Sequence, residues 1–101
     1  MGWKPHTCYV YILSNAGRSV LYIGMTNDIH RRMHEHKESS VEGFAKPYRV
    51  SHILWFEAFN DMNDAITREK QLKNWRRDWK WALICETNPE LCDLTSELIQ
   101  P

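Results

Sequence analysis

Two short runs of strand-forming residues, separated by a tight turn, constrain this chain more than anything else in its sequence. Cys8–Ser14 reads CYVYILS and Val20–Ile23 reads VLYI, both rich in the β-branched and aromatic side chains that fit a pleated surface. Asn15-Ala16-Gly17-Arg18-Ser19 between them is a turn-forming cluster of hairpin length. The two runs are expected to pair antiparallel, with Gly24 ending the second. Thr26, Asn27 or Asp28 then offers a cap for a helix over residues 28–38, where Ile29 and Met33 stand one turn apart. Gly43 and Pro47 mark residues 39–48 as a loop. Val50–Phe59 follows as a third strand, apolar on both faces as expected when helices cover a sheet on each side.

Asp61, Asn63 or Asp64 is placed to cap a longer helix over about residues 63–76, and a short Trp-rich helix follows over 77–86. Asn88-Pro89 reads as one more helix start, with Asn as cap and Pro in the first turn, and Leu91, Leu94 and Leu98 as its apolar stripe. The expected architecture is α+β, a small three-stranded antiparallel sheet flanked by helices. With 101 residues and no repeat or linker, residues 1–101 are expected to form a single domain. Its core spans about 8–80, and an acidic helical tail spans 87–101. A hydrophobic content of 43% excludes a disordered chain. The longest uncharged run, Pro5 to Gly17, is too short and polar to span a bilayer, and no apolar segment follows Lys4 to make a secretory signal. Three cysteines without CxxC spacing argue for reduced thiols. A cytoplasmic protein is expected.

The formal net charge is zero, but its distribution is not even. Residues 1–80 carry 13 Lys and Arg against 9 Asp and Glu, whereas residues 81–101 carry four acids and no Lys or Arg. Arg68 to Lys80 holds six basic residues interleaved with Trp75 and Trp79, a combination suited to phosphates and bases. The same pattern also fits a solvated helix face with its tryptophans turned to the core.

On the second helix, Met62, Ala65, Ile66 and Leu72 project from one face, and Glu69 falls in the middle of it. A carboxylate on an apolar stripe is paired, protonated or bound to a cation, because burying it alone is costly. Arg76, near the same stripe, offers an ion pair; a metal is the other solution. On the first helix Arg32 and His36 are four apart and share a side. Both closely follow the strand that holds Tyr22. A cation holds a phosphate, a Tyr or His moves a proton, and a Glu binds a metal.

These residues together resemble the GIY-YIG nucleases. Tyr9-Val10-Tyr11 is similar to the first motif, ending in Tyr11, and Tyr22-Ile23-Gly24 matches the second literally, eleven residues later. Arg32 and His36 stand ten and fourteen residues after Tyr22, the spacing of that family's Arg and His. Glu69, within REKQLKNW, matches the family's metal-binding Glu. The resemblance covers roughly residues 8–80 and is nearest to small stand-alone bacterial members similar to the N-terminal nuclease domain of the excinuclease ABC system. It implies a three-stranded antiparallel sheet with helices and hydrolysis of DNA phosphodiesters with one divalent cation, Mg²⁺ or Mn²⁺. Tyr11 or Tyr22 would then help deprotonate the attacking water, with His36 assisting, Arg32 stabilising the phosphate and Glu69 holding the metal. A role in DNA repair or processing follows, with DNA, branched or damaged, as partner and a protein partner supplying specificity. The chain departs from the pattern at Tyr9-Val10, where the family has Gly-Ile, and at Met25, where the excision-repair relatives carry a basic residue. Two other functions fit the same residues: a nucleic-acid-binding module with little cleavage, and a protein-interaction component of a repair complex.

Overall fold

The computed structural model describes residues 8–29, 31–32 and 52–95. Three strands form one sheet: β1 (Cys8–Ser14), β2 (Leu21–Thr26) and β3 (His52–Phe59). Their order is β2-β1-β3, and both pairings are antiparallel. Two helices follow, α1 (Met62–Asn74) and α2 (Arg77–Thr87). The expected hairpin, third strand and two helices are therefore present in an α+β arrangement.

The hairpin turn is organised by the Asn15 side chain. Its Oδ1 accepts from the amides of Ser19 (2.9 Å) and Val20 (3.0 Å), and its Nδ2 donates to Ser19 Oγ at 2.8 Å. Arg18 takes up a left-handed backbone (φ 60°), which costs a residue with a Cβ roughly 1–2 kcal/mol. Its guanidinium offsets that cost by donating to the carbonyls of Asn15 and Ala16 and, across the molecule, to Leu91 O at 2.8 Å.

Strand alternation gives the sheet two apolar faces, as a doubly covered sheet requires. On one, Cys8, Val10, Ile12, Ile23, Leu54 and Trp55 pack beneath Ala65 and Leu72 of α1 and Ile84 of α2. Ala65 and Leu72 are two turns apart on the same side of α1. On the other face, Tyr11, Leu13 and Ile53 meet Ile29 and Leu94. A bulge serves both faces. Ile12 pairs with Trp55 but Leu13 with Ile53, so Leu54 is the extra residue and joins Trp55 on the helix-covered face.

Asp28 starts the helical turn after β2: its Oδ1 accepts from the Arg31 amide at 3.1 Å, and Arg32 N donates to Asp28 O at 3.0 Å. Asp61 caps α1 through the Asn63 amide at 2.9 Å.

Four expectations need correcting. The second strand does not stop at Gly24 but runs through it to Thr26. Gly24 pairs with Tyr11, and a Cβ there would lie 2.6 Å from Tyr11 Oη and 2.7 Å from Cε1 and Cζ. Glycine is present because the ring occupies that space. Met62 is 46% exposed, so the apolar stripe of α1 is narrower than its hydrophobic residues suggest. Glu69 pairs with Lys73 at 3.1 Å, not with Arg76, whose guanidinium lies 3.6 Å from Asp78.

Finally, Asn88 does not open a helix but closes α2 as its C-cap. Its buried side chain donates to Leu54 O (3.1 Å) and Cys92 O (2.8 Å) and accepts from the Cys92 amide at 3.0 Å. Leu91 is left-handed (φ 55°), which interrupts any continuing helix. Residues 88–95 instead form a strap along the outer edge of β3. Leu94 N donates to Ile53 O at 2.8 Å, and Asp93 Oδ1 accepts from Ile53 N at 3.1 Å. Leu98 lies outside the described residues.

The packing around Gly24 and Asp93 is open to direct measurement. Gly24→Ala is expected to destabilise the fold by about 1–3 kcal/mol in urea unfolding, the usual cost of overpacking. Combining it with Tyr11→Ala should give less than the sum of the two losses, since the clash partner is gone. Burial opposes ionisation of Asp93, but hydrogen bonds from the Thr95 hydroxyl and amide and the Ile53 amide, with the nearby His52 charge, hold its carboxyl below the ordinary value. The ionised form therefore stabilises the fold above the unfolded pKa of about 4, and this contribution is lost as pH falls through the lowered folded value. Asp93→Ala should cost about 1–2 kcal/mol at neutral pH, and its difference from wild type should shrink below pH ~4.

Candidate active site on the hairpin face

Tyr11 and Tyr22 come from adjacent strands. Tyr11 pairs with Gly24 and Leu13 with Tyr22, so the two tyrosines are diagonal neighbours on one face, where the Cβ spacing is about 7–8 Å. Both belong to the apolar cluster around Leu13 and Ile53. Their exposures differ: Tyr11 is fully buried, with its hydroxyl enclosed, whereas Tyr22 is half-buried. The flat surface of Gly24 lets the Tyr11 ring lie across β2. The tripeptide Tyr22-Ile23-Gly24 thus supplies one tyrosine, one core residue for the opposite face and the seat for the other tyrosine.

Arg32 is half-buried on the helical turn after β2. Ile29, three residues earlier, packs into the tyrosine cluster, so the turn that carries Arg32 lies on that same face. His36 lies outside the described residues. Glu69 rises from α1, which rests on the other face and packs against β2 and β1. Its side chain retains 21% exposure and binds Lys73, itself 54% exposed. The hairpin therefore brings together Tyr11, Tyr22 and the Arg32 turn, and β2 is the strand that both this group and α1 adjoin.

Among the described residues no three His, Cys, Asp or Glu side chains gather closely enough to hold an ion. A cage of protein ligands, as for zinc, is not the arrangement seen there. Glu69 offers a single hard carboxylate within reach of solvent. That suits Mg²⁺ or Mn²⁺, which keep several waters and are held by one or two carboxylates. The partner to be displaced is the exposed ammonium of Lys73.

Two features around Glu69 escape the sequence reading. Arg68 is not a solvated charge: its guanidinium lies 5.7 Å from the Trp55 ring centroid and 5.5 Å from that of Trp75. Its Nε is 3.2 Å from Glu57 Oε1, and it also donates to Gln71. The signal was Glu57, an acid inside an apolar strand, which calls for a cation. The Glu69–Lys73 pair was legible as an i,i+4 Glu-Lys spacing. Trp75 and Trp81 pack against the core, whereas Trp79 is 48% exposed.

Comparison with known proteins agrees with this geometry. Residues 7–82 match the family model described as the GIY-YIG catalytic domain. A UPF0213 protein from Haloquadratum walsbyi is 32% identical over 78 residues, covering 77% of this chain and 86% of the relative. One from Bacillus pumilus is 31% identical over 87 residues, covering 86% and 88%. One from Staphylococcus aureus is 30% identical over 78 residues, covering 77% and 94%. No solved structure matches. On the family match and these relatives, the chain belongs to the GIY-YIG family.

Proposed function

We propose that this protein is a divalent-cation-dependent endonuclease that hydrolyses DNA phosphodiester bonds in the cytoplasm, in the repair or processing of DNA. The observation that carries this reading is the shared face of Tyr11, Gly24 and Tyr22 beside the Arg32 turn. Membership of a nuclease family supports it, and no described helix is long and apolar enough to cross a membrane.

In this reading the two phenols divide the work by exposure. Tyr22, half-buried, meets the attacking water and takes part in removing its proton, with His36 assisting. Tyr11, enclosed over Gly24, fixes the position of Tyr22 and the hairpin beneath the scissile phosphate. An unperturbed phenol titrates near pH ~10, so proton removal at neutral pH depends on nearby positive charge that favours phenolate. Arg32 offsets the negative charge that grows on the phosphate oxygens in the transition state. Glu69 holds the cation, Mg²⁺ or Mn²⁺, which when bound polarises a phosphate oxygen or its own water. A protein partner that supplies specificity is part of the proposal.

The Glu69–Lys73 pair favours a second reading, a DNA-binding module with little cleavage, because a carboxylate already neutralised by an ammonium is a weaker metal ligand. Incubation of labelled single-stranded, duplex and branched DNA with Mg²⁺, Mn²⁺ or chelator separates the two. Wild type should give metal-dependent products, and Glu69→Gln, matched for folding by circular dichroism, should lose about 10²-fold or more in rate. Intact DNA in every lane with binding retained would establish the module instead. If Glu69 holds the cation, Lys73→Ala should lower the Mg²⁺ concentration for half-maximal cleavage by up to about fivefold, the weight of a surface ion pair.

A further inference from the structure

Residues 68–80 contain six basic and two acidic side chains, Glu69 and Asp78. Arg68 is committed to Glu57 and its two tryptophans. Lys70, Lys73, Arg76 and Arg77 are exposed. Among them Trp79 is 48% exposed, although burial is what usually stabilises a side chain of this size. Trp75 meets Trp79 edge-on, with centroids 5.9 Å apart at 86°. The Arg76 guanidinium lies 4.8 Å from the Trp79 centroid.

Trp75 and Trp79, with Ala82, Leu83 and Glu86, line an open cleft of about 270 Å³. Ala82, Leu83 and Glu86 follow Trp79 at helical spacings of three, four and seven, so they continue one side of α2. The cleft has aromatic walls, a small apolar floor, one carboxylate and a rim of cations.

We propose that this cleft takes an unpaired base of single-stranded DNA against Trp79, with the flanking phosphates held by Arg76, Arg77 and Lys73. The proposal extends the reading of DNA as partner and requires no cleavage. Charge complementarity selects the occupant: a nucleobase is a planar apolar ring that arrives with an anion on either side, whereas an apolar protein segment would leave the rim cations unused. Glu86 selects among bases. An ionised carboxylate only accepts hydrogen bonds, so it favours the amino edge of cytosine or adenine over thymine, whose N–H sits between two carbonyl oxygens.

The test is fluorescence anisotropy of the full chain with labelled oligo-dC, oligo-dT and a duplex of equal length, all in chelator. Wild type should bind oligo-dC more tightly than oligo-dT or duplex. Trp79→Ala, which removes an exposed side chain and should leave the circular dichroism spectrum intact, should weaken oligo-dC binding roughly tenfold while barely changing duplex binding. Trp79→Phe should restore most of the loss, and Glu86→Gln should erase the preference for oligo-dC over oligo-dT. Unchanged oligo-dC binding by Trp79→Ala, or equal losses on single strand and duplex, would overturn the proposal. Because no metal is present, the result is independent of the nuclease reading. Trp79-dependent binding by a protein that cuts nothing with Mg²⁺ would support this proposal and defeat the nuclease. Cleavage with Trp79-independent binding would do the reverse.

Discussion

A phenol ring laid across a glycine organises this protein. The Tyr11–Gly24 contact sits at the middle of the hairpin, where β1 is also the central strand of the sheet. Every β1 residue except Tyr9 is buried. Cys8, Val10 and Ile12 face the helices, while Tyr11 and Leu13 face the Ile29 turn and the strap. A slip of one residue between β1 and β2 would exchange these faces and drive a Cβ into the ring. The side chain proposed for the chemistry is therefore also one that specifies the register. This explains why a motif of only three residues on β2 carries structural weight.

Much of the architecture was legible because its causes are local. Alternating apolar residues, the Asn15 turn cluster and the Asp28 and Asp61 caps act within a few residues of themselves. Tyr11 and Tyr22 could be assigned to strands in the same way, and hairpin pairing then puts them on one face. The departures arise from partners distant in sequence. Gly24 looks like a strand end until Tyr11 occupies its missing side chain. Asn88 has the composition of a helix start, but Leu54, 34 residues earlier, takes its amide. Helical spacing placed Glu69 correctly between Ala65 and Leu72, but the nearest cation was set by the i,i+4 geometry of Lys73. His36 lies outside the described residues, so its expected place beside Arg32 rests on spacing alone.

The neutral overall charge conceals a division of labour among cations. Arg68 is held between two indoles and a carboxylate and braces α1 against β3. Arg18 and Arg77 are tied to carbonyls, one on the strap and one on the hairpin turn. Lys70, Lys73 and Arg76 remain on the outside of the helices. Their potential acts near the surface over roughly a Debye length, about 8 Å in physiological salt. An acidic C-terminal region that balances the total charge thus need not cancel the local field at the α1–α2 junction.

The strap sets how much chain makes one complete folding unit. The family match ends at residue 82, yet Ile84 fills one core, Leu94 packs against the other, and Asn88 joins α2 to β3. Residues 88–95 also occupy the outer edge of β3, where an exposed strand would otherwise recruit another chain. A fragment cut at the end of the matched span would lose closure on both faces at once and gain a sticky border. The minimal autonomous unit is accordingly longer than the stretch by which the family is recognised, and it reaches at least residue 95.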